Sequence, residues 1–233
     1  LKKISSMDNS GFVQSSTLPN DPAAILFTSG STGPPKGVVY THAMFGHQLD
    51  VLRSCYNIQS GEVDLSTFPL FSLFAVGIGM TSILPEMDFT RPAKVDPKKI
   101  LNTITNHNIT SGFGSPALWN TISSYCISNN RHLSSLNRIL MAGAPIPGSL
   151  IQKFDHILKP KATIHTPYGA TEALPVTTIE REEILEETLK KSQQGHGTCV
   201  GQTVPGIELK IIEITDDSIP EWKSTINLIH GEI

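Results

Sequence analysis

Cysteine is scarce in this chain: Cys55, Cys126 and Cys199 are the only three among 233 residues. An odd number of widely separated thiols fits neither a disulfide framework nor zinc-ligand spacing, so a reducing, cytoplasmic compartment is expected. Long hydrophobic runs are also missing. No stretch approaches the ~20 apolar residues needed to cross a bilayer, and the opening LKKISSMDNSG is too polar for a signal peptide. Nor is there a basic excess: 18 Lys and Arg stand against 21 Asp and Glu, for a net charge of −3. That balance, with no run of Lys or Arg, excludes the electrostatic footprint of a nucleic-acid or anionic-membrane binder. Internal repeats and low-complexity segments are absent as well. What remains is an ordinary globular composition, 39% apolar and 17% charged, long enough to bury a core. The chain starts without methionine and stops at "NLIHGEI", inside a strand-like run, which reads as a piece excised from something longer.

Strand-like and helix-like segments alternate. Asp96-Pro97 and Ser115-Pro116 each place an N-capping side chain before a proline at the first helical position, ahead of Ile100, Leu101 and Ile104 in one case and Leu118, Trp119 and Ile122 in the other. Between them Ile109 to Phe113 reads as a strand. Arg138 to Ala142 follows as strand, Pro147 to Leu158 as helix, Thr163 to Thr166 as strand, and Glu180 to Lys191 as a surface helix with acidic residues early and lysines late. This alternation predicts an α/β fold, a largely parallel sheet covered by helices with ligands at the carboxyl ends of the strands. Ile207 to Ile214 and Ile226 to Ile233 are β-rich with little helix between them. The expected organisation is therefore an α/β region over residues 1–200 and a truncated β subdomain over residues 201–233.

The most informative stretch is "FTSGSTGPPKG", Phe27 to Gly37. The apolar run Ala23 to Phe27 reads as a buried strand of a core sheet, so a loop of glycines and hydroxyls starts where that strand ends. Glycine allows close backbone approach to an anion, successive N–H groups form an anion-binding nest, and Thr28, Ser29, Ser31 and Thr32 add hydroxyl donors. Pro34 and Pro35 stiffen the far side ahead of Lys36, which positions a loop rather than freeing it. The Walker pattern needs Ser or Thr after Gly-Lys, whereas Lys36 follows proline and precedes Gly37. A phosphate loop of another kind is predicted.

Two more clusters fall where strands should end: "MAGAPIP", Met141 to Pro147, and "TPYGATEALP", Thr166 to Pro175. Gly143 and Ala144 are small enough to let a flat ring lie on the backbone, and Tyr168 offers a face for stacking, which suits a purine. Thr171 and Glu172 supply hard oxygen donors of the type that hold Mg²⁺ beside phosphates. Singly, each of these residues is as well explained by packing or surface; the combination carries the reading. His42, His47 and His165 are expected to be structural rather than catalytic.

The order "TSGSTGPPKG", "GAP", "YGATE", "VGQTVPG", "GEI" resembles the adenylate-forming superfamily of acyl-CoA synthetases, luciferases and peptide-synthetase adenylation domains, over roughly Asp21 to Ile233. The resemblance implies the large domain of such enzymes, which activate a carboxylate with ATP to an acyl-adenylate and release pyrophosphate. It implies that Thr28, Ser29, Gly30, Ser31, Thr32, Gly33 and Lys36 cradle the β- and γ-phosphates. Gly143, Ala144, Pro145 and the Tyr168-Gly169 pair would hold adenine, Thr171 would lie near the α-phosphate, and Glu172 would ligate Mg²⁺. Lys36, Thr171 and Glu172 are then the catalytic candidates. The family's small C-terminal domain, with its lysine, has no counterpart in these residues.

The chemistry needs no general base, because a carboxylate is already ionised at neutral pH; aligning two anionic groups and neutralising charge is the whole task. Many relatives carry histidine after "PLF", where this chain has Ser72. The PLFSLF segment and "TPYGATEALPV" look most like long-chain acyl-activating members, including the olefin-pathway β-lactone synthetases. The expected partner is thus a small-molecule carboxylic acid, a fatty or 3-hydroxy fatty acid, with Phe68, Phe71, Phe74, Ile78 and Met80 as candidates for an acyl tunnel or for plain core. Three readings stay open: an acyl-CoA synthetase-like ligase with CoA as acceptor, a β-lactone synthetase that uses the adenylate without CoA, and a nucleotide-binding module without catalysis.

Overall fold

The structure, a computed structural model, describes residues 15–28, 34–212, 216 and 218. The chain divides into two compact units, Leu1–His47 and Gln48–Ile233.

In the first unit β1 (Pro22–Phe27) and β2 (Gly37–Thr41) form a two-stranded antiparallel sheet, with Phe27 opposite Gly37 and Ile25 opposite Val39. The expectation of a buried core strand here is corrected: Ile25, Val39 and Phe27 are 58%, 51% and 70% exposed. An apolar run shows that a strand has a face to cover. It does not show that a second layer covers it: the face of Ile25, Phe27 and Val39 is exposed, while Tyr40 on the other face is buried against Phe45. Helix α1 (His42–Cys55) follows.

The second unit is built on a seven-stranded sheet. Its strands are β3 (Val63–Ser66), β4 (Thr81–Ile83), β5 (Ser111–Gly114), β6 (Arg138–Met141), β7 (Thr163–Ala170), β8 (Ala173–Glu180) and β9 (Gln202–Thr203), in the order β4-β3-β5-β6-β7-β8-β9. The first five in that order run parallel, and β8 and β9 add antiparallel strands at the end. The helices are α2 (Phe71–Ile78), α3 (Pro97–Asn106), α4 (Pro116–Ser128) and α5 (Gly148–Lys153). Both expected caps are present: the Asp96 carboxylate accepts from the Lys98 N–H at 2.9 Å, and the Ser115 hydroxyl from the Leu118 N–H at 3.3 Å.

One face of this sheet is dry. Leu65, Ile139 and Ile164, from β3, β6 and β7, are fully buried with Ile100, Leu118, Trp119, Ile122, Ile151 and Phe154 from the helices and their ends. β5 carries glycine on this face so that α4 can come close. A β-carbon at Gly114 would lie 2.6 Å from Leu118 Cδ2 and 2.7 Å from Trp119 Nε1, and one at Gly112 would lie 3.1 Å from Trp119 Cζ2. The indole fills that space and meets the Phe154 ring edge-on, centroids 6.0 Å apart.

The opposite face carries a polar stripe under a smaller apolar cluster of Tyr56, Ile58, Ala75, Ile78, Met80 and Leu140. Across β4, β3, β5 and β6 the register sets Ser82, Asp64, Ser111 and Arg138 side by side. Arg138 pairs with Glu62 at 2.8 Å and donates to the Asn57 carbonyl at 3.1 Å. Burial works to raise Glu62, but the hydrogen bond and charge of Arg138 and the Gln59 N–H outweigh it and hold the carboxyl below its ordinary value. Asp64 accepts from the Ser66 hydroxyl at 2.6 Å, yet burial wins over that bond and the one from Ser111 and pushes its pKa up to about 6. His165 packs against the Tyr56 ring, centroids 5.1 Å apart, and burial together with the Arg138 charge lowers it to about 4. It is a half-buried histidine, neutral at pH 7.

Three expectations need adjusting. β7 runs four residues past Thr166, because Pro167 costs no ladder bond there: β6 pairs with β7 only as far as His165. The run after Glu180 is helical over residues 181–193 but passes through π geometry at Ile184–Thr188. Residues 207–212 form no strand, having no partner strand among the described residues, and 213–215 lie outside them. The described part of the proposed β subdomain is β9, paired to β8.

Two stability predictions follow from the two faces. Trp119→Ala should cost about 3–5 kcal/mol, read from urea unfolding; a loss under about 1 kcal/mol would mean that the glycines of β5 do not hold the helix at a fixed distance. A native carboxyl titrating above its unfolded value loses stability as pH rises through the native value. For Asp64, pushed up to about 6, that loss is complete by neutral pH. Asp64→Asn should therefore gain on the parent between about pH 4 and about pH 7, and a pH-independent gap in urea midpoints would contradict this.

Candidate functional site

The functional candidates sit at strand ends, in each unit separately. In the first unit, the segment between β1 and β2 is tied at its base: the Thr28 N–H donates to the Lys36 carbonyl at 3.0 Å, and the Lys36 N–H to the Thr28 hydroxyl at 3.3 Å. Lys36 is exposed, as are Pro34 and Pro35. The hairpin continues through this pair, so Thr28 and Lys36 are held across from one another at the root of the glycine-rich loop. Ser29, Gly30, Ser31, Thr32 and Gly33 lie outside the described residues.

In the second unit, β6 and β7 are parallel neighbours, so the segments at their carboxyl ends fall on the same edge of the sheet. Gly143, Ala144 and Pro145 follow β6 and are exposed. Gly143 has φ +97°, which glycine adopts without strain, and open space where a β-carbon would be. The result is bare backbone facing solvent. Tyr168 and Gly169 lie within β7 and not in a loop after it, and Tyr168 is 42% exposed. Gly169 is required by the fold: a β-carbon there would be 2.6 Å from the Ala173 carbonyl oxygen and 3.1 Å from Leu174 Cα. Ala170 pairs with Ala173, leaving Thr171 and Glu172 as the two-residue turn between β7 and β8, the first half-buried and the second exposed.

The structure thus gathers Gly143, Ala144, Pro145, Tyr168, Gly169, Thr171 and Glu172 at one end of one sheet. The tight hairpin fixes the direction in which Tyr168 and Glu172 leave the backbone. A bare glycine backbone, an aromatic face and a hard carboxylate oxygen form a donor set suited to a purine nucleotide and a divalent cation. Among the described residues no group of three His, Cys, Asp or Glu stands close enough to bind a metal without help from a ligand.

Beside this edge runs an apolar cavity that the motifs did not reveal. Pro167, Leu174 and Pro175 of the hairpin line it at one side, Phe71, Phe74 and Ile78 of α2 cover it, and Phe113 and Leu140 floor it. Of the candidates for an acyl tunnel, Phe71, Phe74, Ile78 and Met80 line this cavity; Phe68 does not, being 48% exposed and tilted against Phe71 with centroids 5.4 Å apart. Leu52, Ile58, Asp64 and Ser111 complete the lining. No motif marks Asp64 and Ser111; the strand register brings them together. Ser72 lies in α2, half-buried, its N–H donating to the Pro69 carbonyl at 3.1 Å. Among the described residues no helix is long and apolar enough to cross a membrane.

A family model described as AMP-binding enzyme matches residues 3–233. The chain is 46% identical over 217 residues to the olefin beta-lactone synthetase of Xanthomonas campestris pv. campestris, an alignment covering 93% of this chain and 38% of that protein. It is 44% identical over 213 residues to the olefin beta-lactone synthetase of Stenotrophomonas maltophilia, covering 91% and 38%. The chain therefore spans well under half the length of these relatives. Among solved structures, o-succinylbenzoate coenzyme A synthetase from Bacillus subtilis in complex with ATP and magnesium ion aligns with a TM-score of 0.69 at 21% identity, over 95% of this chain and 44% of that one. At that identity the likeness concerns the fold, and it agrees with the mostly parallel sheet described above. Since the family match runs over nearly every residue, the chain belongs to the AMP-binding enzyme family, and its fold is that of the large domain of adenylate-forming enzymes.

Proposed function

We propose that the protein activates a fatty or 3-hydroxy fatty acid with ATP, forming an acyl-adenylate and releasing pyrophosphate. The observation that carries this reading is the apolar cavity that begins at Pro167, Leu174 and Pro175, on the same hairpin that presents Tyr168 and Glu172. A site that placed a nucleotide at the hairpin would have a dry slot for an aliphatic chain next to it.

In this reading adenine lies on the backbone of Gly143, Ala144 and Pro145 against the ring of Tyr168, with Gly169 keeping the hairpin thin beneath it. Thr171 donates near the α-phosphate, and the loop from Thr28 to Lys36 takes the β- and γ-phosphates. Mg²⁺ held at Glu172 would supply charge neutralisation beside the phosphates, with one protein carboxylate and phosphate oxygens as its ligands. The substrate carboxylate forms a bond to the α-phosphorus as the bond to the bridging oxygen breaks and its electron pair leaves on pyrophosphate. No side chain needs to take a proton, so the work of this chain is to align the two groups and exclude water.

The β-lactone branch is favoured by a specific observation: relatives at 46% and 44% identity are olefin beta-lactone synthetases. In that branch a 3-hydroxyl on the substrate attacks the activated carbonyl, the bond to the adenylate oxygen breaks with its electron pair leaving on AMP, and the hydroxyl proton passes to the departing phosphate or to water. Held in place, that hydroxyl has an effective concentration no free thiol matches. The test is to give the full-length protein ATP, Mg²⁺ and matched long-chain acids with and without a 3-hydroxyl, and to follow AMP over many turnovers. Turnover without CoA, confined to the hydroxylated acid, is the expected result; turnover that starts only when CoA is added would assign the ligase branch instead.

Two substitutions probe the nucleotide end. Tyr168→Ala should weaken ATP binding by about 1–2 kcal/mol, and calorimetry giving unchanged affinity would remove adenine from this hairpin. Glu172→Gln should retain ATP binding but lower acid-dependent ATP–pyrophosphate exchange by on the order of 10²-fold. Unchanged exchange would leave Glu172 a surface carboxylate.

A further inference from the structure

Asp64 and Ser111 line the apolar cavity on the strands remote from the hairpin, and their polar atoms are engaged in hydrogen bonds behind that lining. The cavity lies on the face of the sheet shared by Arg138, Leu140 and Pro167, and reaches from Pro167 on β7 to Asp64 on β3, two strands beyond β6. With strands spaced about 4.8 Å apart, that crossing is about 14 Å. In register, Asp64 aligns through Ser111 and Arg138 with Thr163, four residues before Pro167, which adds about 13 Å along the strands. The cavity therefore runs diagonally away from the hairpin, and an extended aliphatic chain fits its direction.

At β3 and β5 the lining is backed by a hydrogen-bonded network. Asp64 and Ser111 are the lining's only members with ionisable or hydroxyl side chains, and both are buried, at 7% and 2% exposure. They are not loose. The Asp64 carboxylate accepts from Ser66 at 2.6 Å and also from Ser111, and Ser66 is itself within 2.8 Å of the Ser82 hydroxyl. A methyl terminus pushing past Asp64 would have to break this network and strand its hydroxyls in an apolar space, a heavier penalty than displacing another aliphatic side chain. Displacing Phe74, Ile78 or Met80 breaks no side-chain hydrogen bond of that network, whereas displacing Asp64 does.

We propose that Asp64, braced by Ser66, Ser82 and Ser111, is the end stop of the acyl slot and sets the longest chain the protein accepts. This takes its ligand from the acid-activating reading, but the stop acts on binding and does not require turnover. Asp64 is thus a specificity residue, remote from the reacting carboxylate.

The experiment measures binding of a homologous series of straight-chain saturated acids to the full-length protein, by displacement of a fluorescent fatty acid, with ATP–pyrophosphate exchange run on the same series. The parent should show a length beyond which affinity falls. Asp64→Ser shortens the side chain while keeping a hydroxyl for the network. It should move that limit by about two carbons, which is worth about tenfold in affinity for the first acid the parent rejects. Asp64→Asn keeps the size and should keep the limit, whereas Ser111→Val adds bulk beside the stop and should move the limit to shorter acids. A parent with no length limit, an Asp64→Ser protein that binds acids with the parent's limit, or an Asp64→Asn limit displaced as far as that of Asp64→Ser would each overturn the proposal. If Asp64→Ser fails to fold, the opposed expectations for Asp64→Asn and Ser111→Val still decide it. Exchange absent throughout while the binding limit moves as expected would overturn the activity reading and leave the stop standing.

Discussion

The Arg138–Glu62 pair is the contact on which the second face of the sheet depends. Arg138 opens β6 in the middle of the sheet, and its guanidinium reaches back over β5 to the turn before β3, holding Glu62 by two nitrogens and the Asn57 carbonyl by one of them. Both side chains are largely removed from water, so the pair must repay a desolvation cost, and losing one partner would leave the other charge stranded at a cost of about 3–5 kcal/mol. In return the connection between α1 and β3 is fixed against the sheet. Tyr56 and Ile58 are placed by that connection, and they form part of the cluster over Leu140 from which the cavity is made. The same charge helps to keep His165 neutral and partly offsets the burial of Asp64.

The two faces of one sheet thus serve different ends. On the dry face, large side chains interlock with glycines in β5. The other face is less economically filled. Its polar stripe cannot be packed as tightly as Leu, Ile and Trp, since each carboxylate and guanidinium must keep its hydrogen bonds, and Phe71, Phe74 and Ile78 roof it without filling it. The cavity lies where this polar network meets the apolar side chains of α2.

What could be read in the sequence was what local chemistry determines. Asp96 and Ser115 cap their helices because the capping bond spans only two or three residues, and the alternation of elements predicts the parallel sheet because each crossover helix must return the chain to the same edge. What could not be read was decided by neighbours distant in sequence. Pro167 suggests a strand end to anyone reading along the chain, yet it sits within β7 because the adjacent β6 has already stopped pairing. The apolar run before the glycine-rich loop forms its strand as expected, but its burial depends on a second layer and not on its own composition. Tyr168, Gly169 and Glu172 were visible as a motif while their shared hairpin was not. Asp64 and Ser111 belong to no motif and gain meaning only when register sets them side by side.

The arrangement of the candidate site follows from opposing solvent requirements of the two reactants proposed for it. Triphosphate and carboxylate are hydrated anions, which favours an exposed edge with backbone donors and a single hard ligand such as Glu172. An aliphatic tail gains about 0.8 kcal/mol for each methylene taken from water, which favours a closed slot. The β7–β8 hairpin meets both demands because its two-residue turn exposes Glu172 while Pro167, Leu174 and Pro175, a few residues away on the same strands, line the cavity. Gly169 is what lets the hairpin be that thin, since a side chain there would collide with the opposing backbone at Ala173 and Leu174. Thickening the hairpin would part the charged end of the site from the apolar slot. For a reaction that joins a carboxylate at the end of a tail to a phosphate, that separation would matter more than the loss of any one polar contact.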